Sequence, residues 1–322
     1  MASPFQSGLS RDIASGVMVI LGIFAVSALI PLIGFIAAAF IPLPVFFYRI
    51  KLGRHHGMLV PFSAIVVISL ATGGLNLDTA FFSGLMVLGF VLGEMVEKTM
   101  PVEIAILAAC ASVLGLCILG LVIVSGAAGT GVVELVSGHV KTNLELSIAL
   151  YKNINMPQET IDTLTRSMDQ ILYTVVRLLP SMITASMLFV AWINFVAGRS
   201  LMVRQGVAIP DYGHLNRWQA PGNLVWGIAA GLVLVLVPAT GWRLVGLNVL
   251  LVLMVVYFIQ GIAVVSFLFE ARKVPRAFRV LLYSMIAFQQ LFALMVVGIG
   301  FFDIWIDFRK LASRQREPDL PD

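Results

Sequence analysis

Residues 244–269 read LVGLNVLLVLMVVYFIQGIAVVSFLF, a run without a single charged side chain. A helix rises about 1.5 Å per residue, so these residues extend about 39 Å, more than the hydrocarbon core of a bilayer. The run therefore predicts a membrane-spanning helix.

The composition extends this prediction to the rest of the chain. Of the 322 residues, 59% are apolar and only 12% are charged, against about 25% charged residues in an ordinary soluble domain. So few charges cannot cover a water-facing surface. Most of the surface is therefore predicted to face lipid, and a soluble enzyme is excluded.

Apolar blocks recur along the chain. They are Ile13–Tyr48, Met58–Ala71, Thr79–Val96, Val102–Val124, Ile171–Val196, Leu224–Val237, Leu244–Phe269 and Val280–Ile306. The first block is too long for one straight span, and Pro31 near its middle predicts two helices or one broken helix. The predicted fold class is all-α, a polytopic transmembrane helix bundle of about 8–9 spans.

Basic residues gather between the blocks. The clusters are Arg49, Lys51 and Arg54; Arg199 and Arg204; and Arg272, Lys273, Arg276 and Arg279. The positive-inside rule predicts that these segments are cytoplasmic, which implies a bacterial inner (cytoplasmic) membrane and makes nucleic-acid binding unnecessary to explain the charge. One alternative stays open at the end of the chain. If the block from Val280 crosses the membrane once, the basic tail lies outside the cell. Either the predicted number of spans is wrong, or the tail is external despite its charge.

One long polar insertion, residues 126–170, separates the apolar blocks. Ile161, Leu164 and Met168 recur at helical spacing, and Pro157 lies where a helix should begin. The alternating topology predicts an extracytoplasmic amphipathic helical pair that lies on the bilayer or caps the bundle, with a purely structural lid as the alternative.

These features predict six segments. They are N-terminal transmembrane helices (1–125), the insertion (126–170), a transmembrane helix (171–198), a cytoplasmic linker (199–221), C-terminal transmembrane helices (222–310) and a polar tail (311–322).

Motifs of enzyme active sites do not stand out in the sequence. Residues 126–131 read GAAGTG but lack the Lys-Ser/Thr of a phosphate-binding loop. His55 and His56 are adjacent, and neighbours on a helix diverge by about 100°, so they form a poor metal pair. The sequence predicts no catalytic residue, no metal site and no cofactor.

Polar side chains inside apolar blocks are the candidates for lining a ligand site. They are Arg177, Asn194, Asn248 and Gln260. Polar groups at membrane depth often mark solute pathways, although amides there also bridge neighbouring helices, and Arg177 is also placed to snorkel to the interface. Glu94 and Glu97, at the end of another block, are predicted to snorkel into the cytoplasm.

The densest constellation of polar and aromatic residues is FDIWIDFRK at 302–310. On a continuous helix Asp303 and Asp307 share one face, Lys310 lies one turn after Asp307, and Trp305 suits the aromatic belt. Asp303, Trp305, Asp307, Arg309 and Lys310 are therefore predicted to anchor a helix end at the interface or to form a docking patch.

With these residues the chain resembles the YybS-like family of bacterial multi-pass membrane proteins. The resemblance rests on PLPVFFYRIKLGRHHG at 42–57, LNVLLVLMVVYFIQGIAVVSFLF at 247–269 and FDIWIDFRK at 302–310, and it covers essentially the whole chain. The first half is similar to the substrate-binding membrane subunits of energy-coupling-factor vitamin transporters, and more distantly to the rod-shape-determining membrane subunit. The spans after Arg199 depart from a six-helix vitamin binder.

The resemblance implies capture of a small molecule or a scaffolding role, and it supplies no catalytic residues. We expect a transport-type subunit that binds a small organic solute within its helix bundle. The alternative is a non-transporting scaffold for cell-envelope or division proteins. The expected partners are the lipid bilayer, a small organic solute, and an ATPase module or envelope proteins.

Overall fold

The computed structural model describes residues 4–74, 76–154 and 156–309. All regular secondary structure within these ranges is helical. The helices are α1 (Pro4–Leu29), α2 (Pro31–Ala38), α3 (Pro42–Gly57), α4 (Leu59–Ala71), α5 (Leu77–Glu97), α6 (Val102–Ala128), α7 (Val132–Asn153), α8 (Gln158–Arg166), α9 (Met168–Arg204), α10 (Leu224–Leu236), α11 (Thr240–Ala271), α12 (Arg276–Phe288) and α13 (Gln290–Ile306), with a 3₁₀ turn at Leu215–Arg217.

By length and apolar composition, six helices among the described residues are able to cross a membrane. They are Gly8–Leu29, Ile33–Gly57, Leu77–Glu97, Val102–Ala128, Met168–Arg204 and Thr240–Ala271. The bent pair of α12 and α13 gives a seventh if it counts as one span, while α4 and α10 are apolar but shorter. The all-α membrane fold predicted from the sequence is confirmed at this level.

The chain divides into two compact units. Unit 1 comprises Met1–Leu119 and Ser186–Gly213, and unit 2 comprises Gly120–Ala185 and His214–Asp322. Two of the three boundaries between the units fall inside α6 and α9, and the third follows Gly213, between α9 and α10.

In unit 1 the first apolar block breaks at Pro31, as its proline predicts. Helix α1 ends at Leu29, Ile30 is extended, and α2 begins at Pro31. The hydroxyl of Ser27 donates to the carbonyl of Gly34 at 3.0 Å, so α2 folds back against the end of α1. A Cβ at Gly34 would overlap the backbone of Ser27, so this close approach requires glycine.

Helix α3 packs against α1, α4 and α5 in unit 1. Glycines let bulky side chains of α3 reach its neighbours. A Cβ at Gly198 would overlap the ring of Phe46, and one at Gly93 would lie 3.0 Å from Cβ of Arg49. The chain turns at Gly53, whose φ of 76° lies in the left-handed region that favours glycine.

In unit 2 helix α11 packs against both α10 and α13. A Cβ at Gly300 would overlap the carbonyl oxygen of Tyr257, and one at Gly261 would overlap that of Val296. Residue numbers rise along α13 as they fall along α11, so the two helices are antiparallel. Their backbones touch closely because small residues at the crossing permit it.

The polar insertion contains two whole helices, as predicted, but the second ends at Arg166, so Met168 begins α9 and does not continue that helix. Helix α8 begins directly after Pro157, and Ile161 is its buried residue. Helix α7 buries none of its residues, and Leu146 and Leu150 on it are exposed.

The last apolar block differs from its prediction as one straight element. It forms α12 and α13, which meet at an angle of 102°. Gln289 between them is extended, with φ −110° and ψ 111°. No proline or glycine marks this break, so the apolar pattern alone does not predict it.

Candidate functional site

Unit 1 has a half-open cavity of about 590 Å³ between α1, α3 and the end of α9. The lining is polar towards the start of α1 and the end of α3, and apolar at the opposite end of the cavity. The lining residues are Gly8, Arg11, Asp12, Ser15, Val19 and Ile23 on α1; Leu43, Pro44, Phe47, Tyr48 and Lys51 on α3; and Leu201 and Gln205.

The polar end of the cavity carries an ion pair. Lys51 Nζ donates to Asp12 Oδ1 at 2.8 Å, and both side chains are about one-third exposed, at 36% and 34%. Lys51 Nζ also lies 5.9 Å from the centre of the Tyr48 ring. Arg11 lines the same end and has no ion pair among the described residues. The cavity therefore offers charged groups at one end and apolar walls at the other.

Behind the cavity wall, Arg49 fixes α3 to α5. Its side chain is fully buried, and Nε and Nη2 donate to Oε1 of Glu94 at 2.8 and 2.6 Å. Nη2 also donates to Glu97. A buried guanidinium is tolerated only when it is paired and hydrogen-bonded, which both carboxylates provide. The prediction that Glu94 snorkels is wrong, because its carboxylate turns inward to Arg49. Glu97 is exposed but is also paired.

Unit 2 contains a second buried polar cluster, formed by Gln260, Asp303 and Arg309. Asp303 Oδ2 accepts hydrogen bonds from Arg309 Nη2 and, at 3.1 Å, from Gln260 Nε2. Arg309 Nη1 donates to the carbonyl of Trp218 at 2.8 Å, and Gln260 Oε1 accepts from the backbone N–H of Ala220 at 3.2 Å. The cluster thus joins α11, the end of α13 and the segment between α9 and α10.

Two buried polar atoms, one in this cluster and one on Tyr257 a turn before Gln260 on α11, lack hydrogen-bond partners among the described residues. Asp303 and Tyr257 are fully buried, and neither Asp303 Oδ1 nor the Tyr257 hydroxyl has a hydrogen-bond partner among the described residues. Asp303 is nevertheless neutralised by Arg309, so the cluster as it stands is an internal ion pair.

The four predicted ligand-lining residues are not brought together. Asn194, in unit 1, donates to the carbonyls of Ala39 and Val190 at 2.7 Å each. Asn248 donates to the carbonyl of Arg177 at 3.0 Å, and the guanidinium of Arg177 lies 3.4 Å from the centre of the Tyr173 ring.

Gln260 belongs to the cluster with Asp303. Each of the three amides therefore bridges neighbouring segments, which was the alternative left open by the sequence. None of the four residues lines the cavity of unit 1.

The predicted anchor segment divides into buried and exposed parts. Asp303 and Arg309 are buried in unit 2, whereas Trp305 is 58% exposed. Helix α13 ends at Ile306, and Asp307 adopts a left-handed conformation with φ 48°. The prediction that Asp303 and Asp307 share one helical face is therefore wrong. Beyond the end of α13 the chain turns, and Arg309 pairs with Asp303. Lys310 lies outside the described residues.

Sequence reasoning missed the cavity, because its charged residues are distant in sequence. Arg11 and Asp12 precede the first apolar block, Lys51 follows it, and Gln205 comes after α9. The available signal was that Lys51 lies in a predicted basic cluster and that Asp12 directly precedes a span. No group of three or more histidine, cysteine, aspartate or glutamate side chains able to hold a metal ion occurs in the part of the chain that the structure describes.

The chain belongs to a family described as predicted membrane protein (DUF2232), whose model matches residues 16–304. A search of curated proteins and one of solved structures gave no match. The family assignment confirms the resemblance over nearly the whole chain, while the similarity of the first half to energy-coupling-factor subunits stays a prediction.

Proposed function

We propose that this protein is a transport-type membrane subunit that binds a small organic solute in the cavity of unit 1. The observation that carries the proposal is the cavity itself. Its volume of about 590 Å³ falls within the range of about 300–1,000 Å³ that is usual for small-molecule sites. Apolar walls with a few convergent polar groups are also the usual composition of such sites.

The proposed topology starts from the ends of the helices in unit 1. Lys51 near the end of α3 pairs with Asp12 near the start of α1, and Arg49 pairs with Glu94 near the end of α5. These three helix ends therefore lie on one side of unit 1. Because that side carries basic residues, we propose under the positive-inside rule that it is cytoplasmic.

The same argument applies separately to unit 2. Asn216 Nδ2 donates to Glu270 near the end of α11 at 2.6 Å, and Arg309 after α13 donates to Trp218. Chain segments before α12 and after α13 thus reach the same short stretch, residues 216–218. We propose that α12 and α13 enter and leave on one side as a re-entrant pair.

This topology gives a count of crossings. The six long candidate spans together with the shorter α4 and α10 make eight. In this topology the basic tail and the basic cluster at 272–279 are both cytoplasmic. Both then agree with the positive-inside rule, which a single last span would violate for the tail. Helices α7 and α8 lie on the other side, as the extracytoplasmic pair, in a bacterial inner membrane.

The test is the solute that the full chain retains after purification in mild detergent. Mass spectrometry of the extract should find one enriched small molecule. Val19→Trp fills the apolar part of the cavity and should abolish its retention. Met18→Trp is the matched control, because Met18 is 68% exposed and does not line the cavity. Size-exclusion chromatography checks that both variants fold.

An empty wild-type protein, together with unchanged solute uptake in a deletion strain, would contradict the proposal. Cross-linking in cells should recover an ATPase module, because the sequence shows no nucleotide-binding motif of its own. The scaffold alternative has less support, since the side chains of Asp303 and Arg309 are engaged inside unit 2. The exposed residues described in that segment are the apolar Phe302, Trp305 and Ile306.

A further inference from the structure

We infer that the ligand of the unit 1 cavity is an amphiphile with one anionic group, a phosphate or a carboxylate, on an apolar body. This inference rests on the proposed function, because it names the chemical class of solute for the same cavity. It is carried by the charges at the polar end and by the order of residues along α1.

The charges of the cavity wall favour an anion. Two cations, Arg11 and Lys51, and one carboxylate, Asp12, line it, so the wall has a net charge of +1. Asp12 is paired with Lys51, which leaves the guanidinium of Arg11 as the cation without an ion pair among the described residues. Guanidinium groups bind carboxylates and phosphates through paired hydrogen bonds.

The ion pair at the mouth is able to open for a ligand. Lys51 and Asp12 are each about one-third exposed, and pairs that water reaches contribute only about 0–1 kcal/mol. A ligand anion therefore competes readily for Lys51. Asp12 remains beside it and disfavours a second negative charge, which is why we expect one anionic group.

The spacing along α1 defines the shape of the ligand. Asp12, Ser15, Val19 and Ile23 follow one another at intervals of three or four residues, so they share one helix face. The distance from Asp12 to Ile23 along the helix is about 16 Å. One leaflet of the hydrocarbon core is about 15 Å thick, half of the full core. A charged group at the mouth thus places an alkyl or ring system along Val19 and Ile23, at the depth of one leaflet.

Two sources supply this chemistry, a soluble amphiphilic acid and an anionic lipid. Basic pockets between transmembrane helices at the cytoplasmic side are known binding places for acidic lipid headgroups. The experiment therefore has one arm for each source. The full chain in neutral detergent is titrated with decanoate in one arm and with short-chain phosphatidylglycerol in the other, and binding is measured by calorimetry. Decanol and short-chain phosphatidylcholine are the ligands without net charge.

At least one anionic probe should bind, and its counterpart without net charge should bind about tenfold more weakly or not at all. Arg11→Gln and Lys51→Gln should each weaken binding of the anion about tenfold, the loss expected for one charge-assisted contact. Lys152→Gln is the control, because Lys152 on α7 is exposed and lies outside the cavity. Binding of decanoate alone identifies a soluble acid as the source, binding of phosphatidylglycerol alone identifies a lipid, and either result supports the inference.

Equal binding of charged and uncharged probes, or unchanged affinity in Arg11→Gln, would overturn the inference. A neutral or cationic molecule that co-purifies and is lost in Val19→Trp would also overturn it, while leaving the proposed function intact. If no probe binds and no molecule co-purifies, both this inference and the proposed function are contradicted.

Discussion

The buried pair of Asp303 and Arg309 allows a quantitative prediction of stability. Asp303 is fully buried, and its Oδ2 is the acceptor for both Arg309 and Gln260. Asp303→Asn leaves the guanidinium of Arg309 inside unit 2 with backbone carbonyls as its remaining partners. Loss of one member of a buried ion pair costs about 3–5 kcal/mol, because the other charge stays without compensation. Arg309→Met should cost a similar amount, since it strands the carboxylate.

The double variant Asp303→Asn/Arg309→Met should lose less unfolding free energy than the two single variants lose together. The difference, the coupling free energy, should be about 2–3 kcal/mol. Part of the loss remains, because Arg309 no longer donates to Trp218. Reversible unfolding by SDS in mixed micelles, followed by tryptophan fluorescence, measures all three variants. Glu145→Gln is the control. It removes one carboxylate charge at an exposed position on α7, so it should stay within about 0.5 kcal/mol. Single effects that add in the double variant, or a wild-type midpoint for Asp303→Asn, would refute this account of the pair.

Two further predictions concern packing and topology. Gly300→Ala should destabilise the protein by about 1–3 kcal/mol in the same unfolding assay, because the added methyl group overlaps the carbonyl of Tyr257. Gly298→Ala should be close to neutral, since nothing lies within 4 Å of a Cβ there. In a variant without the two native cysteines, a cysteine at Ser313 should react with a membrane-impermeant maleimide only after the cells are opened, and one at Ser147 should react in intact cells. The reverse labelling pattern would contradict the proposed topology.

Some helix breaks were predictable from a local signal. Proline lacks the N–H that continues helix hydrogen bonding, and the break at Pro31 was predicted on that ground. Pro157 likewise marked the start of α8. The signal is not sufficient by itself, because α9 runs from Met168 to Arg204 with Pro180 inside it. The break at Gln289 had no such signal, because Phe288, Gln289 and Gln290 are all compatible with a helix. Helix α13 packs against α11 at Gly261 and Gly300, a contact that the sequence around Gln289 does not reveal.

The candidate sites were predictable only in part, for a related reason. The rule that polar groups are costly in lipid singled out Gln260, and the density of polar and aromatic residues at 302–310 singled out Asp303 and Arg309. The structure places all three in one cluster. Neither signal says which polar groups meet. Arg11 and Asp12 lie at the edge of an apolar block, where charges are common, and only the packing of α1 against α3 makes them part of a cavity.

The cluster in unit 2 also explains what a polar side chain inside an apolar block does physically. Between α9 and α10 the structure has no regular element except the 3₁₀ turn, so many backbone groups there lack helical partners. Gln260 lies well inside the apolar block 244–269, and backbone groups at such depth must find partners within the protein because lipid offers none. Gln260 accepts from the backbone of Ala220, and Arg309 donates to that of Trp218. Asp303 in turn neutralises Arg309 and fixes Gln260. The polar residues of this cluster therefore lie where the helical backbone is interrupted. This explains their position next to the segment before α10 and at the end of α13, rather than in the cavity lining.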